Sequence, residues 1–577
     1  MTTSVDYTGV TVNYQLLIRM TALLGPYKDT YRLCVGRTAH VSGGSYAGTY
    51  HGLATGEARL DEGVGTKPFP ELRLPEFTFA YAREDQDRYT GDMTDWLHNC
   101  KDSDTTVYVY VYEVIAGANP DDDDLVFLGF IANGGVTIQG DQVGIRADTL
   151  LSHYDFELPR LTFEDVYEYD DGGIYVGRLD QSIWSDYIPI LYGDWTDQAS
   201  EFAIPGFVID HRPNQNLVAR ICYPNDEGVG SGIASITGLC RWTCSGGDSK
   251  EASVADVENV NYSITDASLT AGSFTAFNSY RDNESTFTQG DRLTSQLCSG
   301  NTDGDGDLLE NPALIIQDLL LSYCGLSSAN VDAVQFALAA SKIPYKFRGY
   351  IDKREKAISK IIADICRDAG LILTVDTNND ITIARHKLYH WTTSRAALLS
   401  LNGHRVDHSQ QITPRPEDWH YDGIRLKYGY HPATDTFRKT ATAGSTDYDD
   451  DKILEIESRW IWRDVDAADI LDQWYRALFT SYPTMLSCDI PMRLDVGLKS
   501  CVSWSGDGFS SRVFYVLRSA RNWAGCSSQI TAVDSQLDLH RGQWMDTGAP
   551  AFGAATDAQK QTNGFWYDTK YSSWSHD

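Results

Sequence analysis

The sequence predicts a mainly β protein that contains a small α+β module. Runs rich in β-branched and aromatic residues alternate apolar and polar positions and recur between turn residues. Few segments show the three-to-four-residue spacing of an amphipathic helix. With 577 residues, the chain is long enough for about three or four domains. We predict two antiparallel β-barrel domains, a small helix-plus-hairpin module and a β-rich insertion.

The first β-barrel domain is predicted at residues 1–150. Strand patterns at 75–81 and 106–112 are followed by strand patterns at 125–131 and 135–147. We expect a turn at Asn133-Gly134-Gly135 and another at Gly140-Asp141. Near-regular strands without long helices favour an antiparallel barrel or sandwich.

The remaining chain divides by composition. Residues 151–210 form a connector with little periodicity, and 211–305 form a β-rich insertion domain enriched in Gly, Ser, Thr and Asn. The helix-hairpin α/β module covers 306–405, and the second β-barrel domain covers 406–540 with a helix at 467–479 that packs onto the barrel. Residues 541–577 form an extended C-terminal arm.

The helix-hairpin module has the clearest local signals. Asn311-Pro312 opens a helix, with Asn as N-cap and Pro in the first turn, and Gly325 stops it. Asp352 and Glu355 form a capping box for a second helix that Gly370 ends. A hairpin of 371–375 and 381–385 follows directly.

The order of these segments resembles the central part of tail-tip (baseplate) hub proteins of long-tailed bacteriophages. The run Ile188-Pro189-Ile190-Leu191-Tyr192-Gly193 is similar to a segment that follows the first barrel in such hubs. The strand patterns at 485–494, 513–517 and 529–533 resemble their closing barrel. The resemblance covers most of the chain except about 210–300.

The resemblance implies a structural virion protein without enzymatic activity. Such a hub forms a ring, most often a homotrimer, which closes the tail tube and opens for DNA ejection. Its partners are the distal tail protein, the tape-measure protein, and tail fibre or tip proteins. Localisation would be the virion tail tip, assembled in the host cytoplasm. The C-terminal arm would supply aromatic interface anchors: Trp544, Phe565, Trp566, Tyr567 and Trp574.

The net charge of −32 comes from 80 acidic and 48 basic residues. Such a surface disfavours stable nucleic-acid binding, because DNA is itself densely negative. In a hub, an acidic lumen would let DNA slide through; the alternative explanation is solubility. We expect no export signal and no membrane anchor, since no apolar run has the length that spans a bilayer.

The 11 cysteines do not form a dense disulfide framework. One group, Cys222, Cys240, Cys244 and Cys298, contains the thiolates that an iron–sulfur cluster needs. The CxxxC spacing is weak, so buried free thiols or one disulfide between neighbours are the favoured interpretation.

A partial calcium loop precedes the first helix of the module. Oxygen ligands alternate at Asn301, Asp303, Asp305 and Asp307, and Gly306 stands at the position of the sharp turn. Pro312 replaces the bidentate Glu at the twelfth position, which lowers the expected affinity for Ca²⁺. An acidic turn leading into a helix explains the same residues, and we therefore expect no cofactor.

The sequence lacks HExxH, GxSxG and Walker signatures. His386 and His390 lie four residues apart but next to Leu388 and Trp391, which favours a structural role. Two alternatives to the hub remain: a receptor- or glycan-binding tail protein, and a tail-associated cell-wall hydrolase with the insertion as its catalytic domain.

Overall fold

In a computed structural model, the described residues are most of 2–162 and 300–534, residues 185–195, the strands between 204 and 298, and three short strands between 542 and 575. For the strands of 204–298 and 542–575, only the backbone is described. The architecture is mainly β with several sheets, as the sequence predicts.

The N-terminal part is a set of mostly antiparallel strands with one helix packed on its apolar face. The strands are β1 (Thr2–Val5), β2 (Thr11–Ala22), β3 (Asp29–Val35), β4 (Ala39–Val41), β5 (Gly48–Leu53), β6 (Ala58–Val64), β7 (Leu72–Ala82), β8 (Val107–Ile115), β9 (Leu125–Gln139) and β10 (Gln142–Thr149). The helices are α1 (Met93–Asp102) and α2 (Leu150–His153). The strands predicted at 75–81 and 106–112 are therefore confirmed.

The two predicted turns of this part have different outcomes. Gly140-Asp141 is the expected turn between β9 and β10, with a φ of +61° at Gly140. The turn predicted at Asn133-Gly134-Gly135 is wrong, because these residues lie within β9. They form a bulge opposite β10, where the pairing shifts between Ile145 and Ala147. Continued pairing on both sides of the bulge overrides the local turn signal.

The insertion forms two sheets of its own. Its described strands are β13 (Ile204–Pro205), β14 (Phe207–His211), β15 (Leu217–Arg220), β16 (Ile236–Cys244), β17 (Ala252–Asp256), β18 (Val260–Ser263), β19 (Ser273–Asn278) and β20 (Thr294–Cys298), after β11 (Glu157–Leu158) and β12 (Ile190–Tyr192) of the connector. One sheet has the order β13-β20-β16-β17 and the other β14-β15-β19-β18. Among the described residues, the strands from 204 to 298 thus pair only with one another, and they include β13 and most of β14 from the predicted connector.

Both ends of the insertion meet at one point. The amide of Gly300 donates to the carbonyl of Gly193 at 2.8 Å, and the amide of Asn301 donates to the carbonyl of Leu191 at 2.8 Å. The chain therefore leaves and re-enters the rest of the fold at adjacent residues.

The module at 306–405 follows most of its sequence signals. It contains α3 (Pro312–Asp318), which continues as a π-helical turn (Leu319–Tyr323), then α4 (Ala333–Ser341), β21 (Gly349–Ile351), β22 (Lys356–Ala357), α5 (Ile358–Ala369), β23 (Leu371–Val375), β24 (Ile381–Arg385) and β25 (Leu399–Ser400). The Asn311 side chain accepts from the amide of Ala313 at 3.0 Å, which confirms the predicted cap. Gly370 ends α5 in the left-handed region, as predicted.

The predicted capping box of α5 is wrong. The helix begins at Ile358, its N-cap is Ala357, and no side chain caps it. Lys356 and Ala357 instead pair with β11, so tertiary strand pairing determines where the helix begins. Glu355 lies outside the described residues.

The C-terminal part divides between two sheets. It contains β26 (Gln411–Pro414), β27 (Gly423–His431), β28 (Thr436–Gly444), β29 (Ile453–Glu457), α6 (Asp464–Leu478), β30 (Thr484–Pro491), β31 (Cys501–Gly506), β32 (Phe509–Asn522) and β33 (Ser527–Asp534). The helix expected at 467–479 is α6, with Ile470, Leu471 and Trp474 buried. It packs on the separate three-stranded sheet β28-β27-β29, which corrects the expectation that it packs on a barrel.

The N- and C-terminal strands share one large sheet. Its path is β26-β30-β33-β32-β6-β7-β10-β9-β8-β2-β3-β5-β4, and with side branches it has 16 strands. The ends of this path are β26 and β4, and no pairing among the described strands closes either part, so the two β-barrels stay a prediction. The link between the two parts is the antiparallel pairing of β32 with β6, from Arg518↔Gly63 to Asn522↔Arg59.

The arm contains β34 (Gly542–Gln543), β35 (Trp566–Asp568) and β36 (Ser573–Ser575), which pair in that order as a small antiparallel sheet. Among the described residues, no helix has the length and apolar character that crossing a membrane requires.

We predict that the insertion can be removed without unfolding the rest. Replacing 196–299 by a short Gly-Ser linker keeps Trp195 and Gly300 and needs only a short closure, because Gly193 and Gly300 are hydrogen-bonded. The midpoint of thermal unfolding of the remaining chain should shift by no more than about 4 °C. Aggregation, or loss of the cooperative transition, would show that the insertion is part of the core.

Candidate functional site

Four segments meet at one place, which we call the junction: residues 188–195, 300–311, 347–351 and 458–462. Besides the β12–β21 pairing, backbone hydrogen bonds join them: Gly193 N to Leu309 O (3.1 Å), Gly300 N to Gly193 O (2.8 Å), Phe347 N to Glu310 O (2.8 Å) and Arg348 N to Trp460 O (3.1 Å). The junction connects the end of the connector, both ends of the insertion, the module and the C-terminal part.

Glycine permits the close approach of these segments. Gly193 has a φ of +78°, and a Cβ there would lie 2.4 Å from the carbonyl oxygen of Phe347. A Cβ at Gly349 would lie 2.1 Å from a ring carbon of Trp460. The Tyr192-Gly193 step of the sequence motif is therefore required by packing.

The centre of the junction is a buried arginine. Arg348 is 1% exposed, and its guanidinium carbon lies 4.2 Å from the ring centroid of Trp195 and 4.7 Å from that of Trp462. The Trp195 indole N–H donates to the carbonyl of Tyr192 at 2.9 Å. A desolvated cation–π contact contributes about 2 kcal/mol, so the two rings hold the arginine plane in place.

A second polar network lies beside the arginine. Asp318 is buried and accepts from the Tyr192 hydroxyl at 2.5 Å and from the Ser322 hydroxyl at 2.7 Å. Burial raises the pKa of Tyr192 well above its ordinary value, so this hydroxyl stays a neutral donor. The network links the connector to α3.

A third network links α5 to residues 458–462. Asp368 is fully buried and accepts from the side chains of Arg367 and Ser458. The Ser458 oxygen in turn accepts from the amides of Trp460 (3.2 Å) and Ile461 (3.0 Å). Burial raises the pKa of Asp368, while the Arg367 guanidinium favours its charged form.

The buried carboxyl and thiol groups described here are either hydrogen-bonded or protonated. The carboxylates of Asp318 and Asp368 already accept from neighbouring donors, and burial raises the pKa of the Cys34 thiol to about 11 and of the Cys366 thiol to about 12, which keeps both protonated. Within the described part of the chain, no group of three or more His, Cys, Asp or Glu residues is placed to hold a metal ion.

The pairing of β6 with β32 forms a second connecting site, the seam. Arg518 makes a two-pronged contact with Asp61, and Arg521 lies 3.2 Å from Glu62 with both side chains largely buried. Beyond the ladder, Trp523 enters the N-terminal core, where its ring centroid lies 6.1 Å from that of Phe77.

A buried carboxyl group receives the Trp523 indole. The indole N–H donates to Glu113 at 2.6 Å, although the two residues are 410 positions apart in the sequence. Burial raises the pKa of Glu113, and the hydrogen bond from Trp523 acts in the opposite direction.

The predicted calcium residues lie in a tight hairpin within the 300–311 segment of the junction. Asp303 accepts from the amides of Asp305 (3.0 Å) and Asp307 (2.8 Å) through one carboxylate oxygen. Asn301 is buried and donates to the Tyr323 hydroxyl at 2.8 Å. The hairpin also connects the insertion to α3, and calcium binding stays a prediction.

The predicted cysteine group lies in the insertion. Cys222 is outside the described residues, while Cys240 and Cys244 lie four residues apart on β16. Since a strand advances about 3.3 Å per residue, their Cα atoms are about 13 Å apart, beyond the reach of a disulfide. Cys298 pairs opposite Ile236 on the neighbouring strand. A cluster or thiol role for this group stays a prediction.

Of the predicted interface residues, Trp566 and Tyr567 lie on β35 and Trp574 lies on β36. Tyr567 pairs with Trp574. Trp544 and Phe565 lie outside the described residues, as does His390. His386 is buried and its ring packs edge-on against Tyr515, with centroids 4.9 Å apart, which fits the structural role expected from the sequence.

Sequence reasoning did not find Trp195 and Arg348 of the junction, nor the carboxyl groups of Asp318 and Asp368 that are hydrogen-bonded to it. A single available signal is Arg348 itself, the one charged residue of the run Phe347-Arg348-Gly349-Tyr350-Ile351.

No protein-family model and no curated protein matches the sequence. Among solved structures, the chain is similar to a 43 kDa tail protein of prophage MuSo2 from Shewanella oneidensis, with 9% identity, a TM-score of 0.37 and coverage of 91% of this chain and 98% of that chain. It is similar to a tail protein from Neisseria meningitidis MC58, with 8% identity, a TM-score of 0.39 and coverage of 90% and 97%. A third neighbour belongs to the virion of a native gene transfer agent particle, with 11% identity, a TM-score of 0.42 and coverage of 62% and 86%.

We predict that Gly193→Ala destabilises the chain far more than Gly325→Ala. Both glycines have a positive φ, +78° and +69°, so the backbone strain is similar in the two variants. A Cβ at Gly325 meets nothing within 4 Å, whereas one at Gly193 collides with backbone. The loss in unfolding free energy, measured with urea, should be larger for Gly193→Ala by at least about 2 kcal/mol. Equal losses would contradict the close packing of the junction.

We also predict that Glu113→Gln weakens the pH dependence of stability. A pKa raised on folding means that the folded chain holds the proton more tightly, so wild-type stability falls as pH rises above the unfolded value of 4.5. Gln is neutral and keeps an oxygen acceptor for Trp523, so the stability of the variant relative to the wild type should rise as the pH increases above about 4.5.

Urea unfolding at several pH values measures this difference. The control Glu113→Ala leaves the Trp523 N–H without its acceptor and should cost about 1–3 kcal/mol at each pH. A difference between wild type and Glu113→Gln that does not vary with pH would contradict the assignment.

Proposed function

We propose that this chain is a structural protein of a phage tail tip, the central hub that closes the tail tube and opens for DNA ejection. One observation carries the proposal. The two sequence stretches that resemble tail hubs, 188–193 and 311–385, are far apart in sequence but pack together at the junction. Because the two stretches pack together, one structural unit accounts for the presence of both in this chain.

The hub role needs rigid connections between β units. In this proposal the N- and C-terminal strands each curl into a barrel, and the two barrels act as pseudo-repeats, so that three copies match a six-fold tube. The seam ties the two units through the β6–β32 ladder, and the junction fixes the module between them. Partners would be further copies of the chain, the distal tail protein, the tape-measure protein, and tail fibre or tip proteins.

The charge supports passage of DNA rather than its binding. A net charge of −32 repels phosphates, so a lumen lined by this chain would let the duplex slide without stable contacts. The hub would act without enzymatic chemistry. The saturated hydrogen bonds of Asp318 and Asp368 agree with this role.

We predict that deleting 541–577 leaves the chain folded but reduces tail assembly. The arm carries Trp and Tyr residues of the kind that dominate interface energies, and its described strands pair only with one another. Complementation of a phage that lacks this gene, with tails counted by electron microscopy, measures the effect.

The matched control removes the insertion instead, which is similarly attached at one point. Normal tail yield from the arm truncation would exclude an assembly role for the arm. Absence of the full-length chain from purified tails would overturn the proposed function itself.

A further inference from the structure

The two connections between the insertion and the rest of the fold differ in length. On the outgoing side, residues 196–203 separate Trp195 from β13, so the ends of this connection can lie up to about 30 Å apart. On the return side, Ser299 alone separates β20 from Gly300, so this connection spans no more than about 7 Å. A displacement of the insertion can therefore be absorbed on the outgoing side but not on the return side.

The strand that leads into the return connection is an inner strand of its sheet. β20 lies between β13 and β16, and among the described strands β13 pairs only with β20. The ladder between β16 and β20 continues to the last residue of β20, Cys298, which pairs with Ile236. A displacement of this sheet therefore moves Cys298 with it.

Asn301 joins the return connection to the module. It is 1% exposed, its backbone amide donates to the carbonyl of Leu191 at 2.8 Å, and its side-chain amide donates to the Tyr323 hydroxyl at 2.8 Å. At the preceding residue, a Cβ on Gly300 would lie 2.6 Å from the carbonyl oxygen of Leu191. The return connection is thus closely packed, and it reaches Tyr323 within three residues of the end of β20.

An uncommon helical turn receives this contact. α3 continues as the π-helical turn Leu319–Tyr323, in which the amide of Cys324 donates to the carbonyl of Leu319 at 3.0 Å. A π-helical turn bonds residues five apart instead of four, and such turns are frequent at functional sites. A change between the two bonding patterns would change the position of Tyr323 relative to α3.

The two sides of the insertion hold opposite ends of this turn. Tyr192, before the insertion, donates to Asp318 at 2.5 Å, and Asp318 directly precedes the turn. Asn301, after the insertion, donates to Tyr323, the last residue of the turn. Movement of Asn301 relative to Tyr192 would therefore act on the turn from both ends.

We propose that the return connection, residues 298–301, transmits displacement of the insertion to the π-helical turn and so opens the junction. This inference rests on the proposed function, for which it names the route from a contact at the host surface to opening of the hub. The longer outgoing connection does not carry the displacement.

Two matched linkers test this route. A Gly-Ser-Gly-Ser segment between Ser299 and Gly300 makes the return connection flexible, and the same segment between Trp195 and Thr196 lengthens the outgoing connection. Each variant complements a phage that lacks this gene, and adsorption to host cells and DNA release are measured separately. The return-side linker should reduce DNA release per adsorbed particle by about tenfold, whereas the outgoing-side linker should leave it unchanged.

Hydrogen exchange of the purified chains shows whether the linkers leave the junction closed, because the amide of Arg348 should then be as protected as in the wild type. If the return-side variant does not fold, Tyr323→Phe interrupts the same route at its far end by removing one hydroxyl group. It should reduce DNA release in the same way.

Normal DNA release from the return-side or Tyr323→Phe particles, or an equal loss from both linkers, would overturn the route. Loss of adsorption without loss of release per adsorbed particle would overturn it as well, because the insertion would then serve binding alone. If return-side particles assemble and release DNA normally, the hub role stands and the route falls. If the wild-type chain never enters tails, the hub role itself falls.

Discussion

The fold depends on one constraint: a buried arginine must be enclosed where four chain segments converge. Arg348 is stacked between Trp195, which precedes the insertion, and Trp462, which precedes α6. Glycines at 193 and 349 let the backbones approach closely enough for both rings to reach it. Burying a cation in this way costs free energy unless its surroundings stay fixed. The four segments should therefore keep their relative positions together or lose them together.

The seam extends this constraint to the ends of the chain. β32 pairs with β31 along its first half and with β6 along its second half. This one strand is therefore shared between the C-terminal and the N-terminal parts of the large sheet. Trp523 then fills part of the N-terminal core. Movement of one β unit against the other must therefore break a strand ladder, two ion pairs and an indole–carboxyl hydrogen bond together. A rigid joint of this kind is what the proposed hub role requires.

Local signals in the sequence predicted local structure well. The Asn311 cap, the Gly370 stop and the hairpin after it are each determined by residues within one turn of the element. Prediction failed where distant strands intervene: pairing with β11 replaced the capping box before α5, and pairing with β10 turned Asn133-Gly134-Gly135 into a bulge. The junction and the seam could not be predicted from the sequence. Arg348 and Trp195 lie 153 positions apart, Glu113 and Trp523 lie 410 positions apart, and no rule of sequence spacing connects either pair.

Native-state hydrogen exchange of the full chain tests the central constraint most directly. The amides of Gly193, Gly300 and Arg348 close the junction through backbone bonds, whereas the amide of Asp305 lies in an exposed turn. If the buried arginine fixes the junction, the first three amides exchange only through global unfolding, and their exchange rates change together with denaturant. Exchange of these amides at the rate of Asp305 would show that the junction opens independently and would contradict this account.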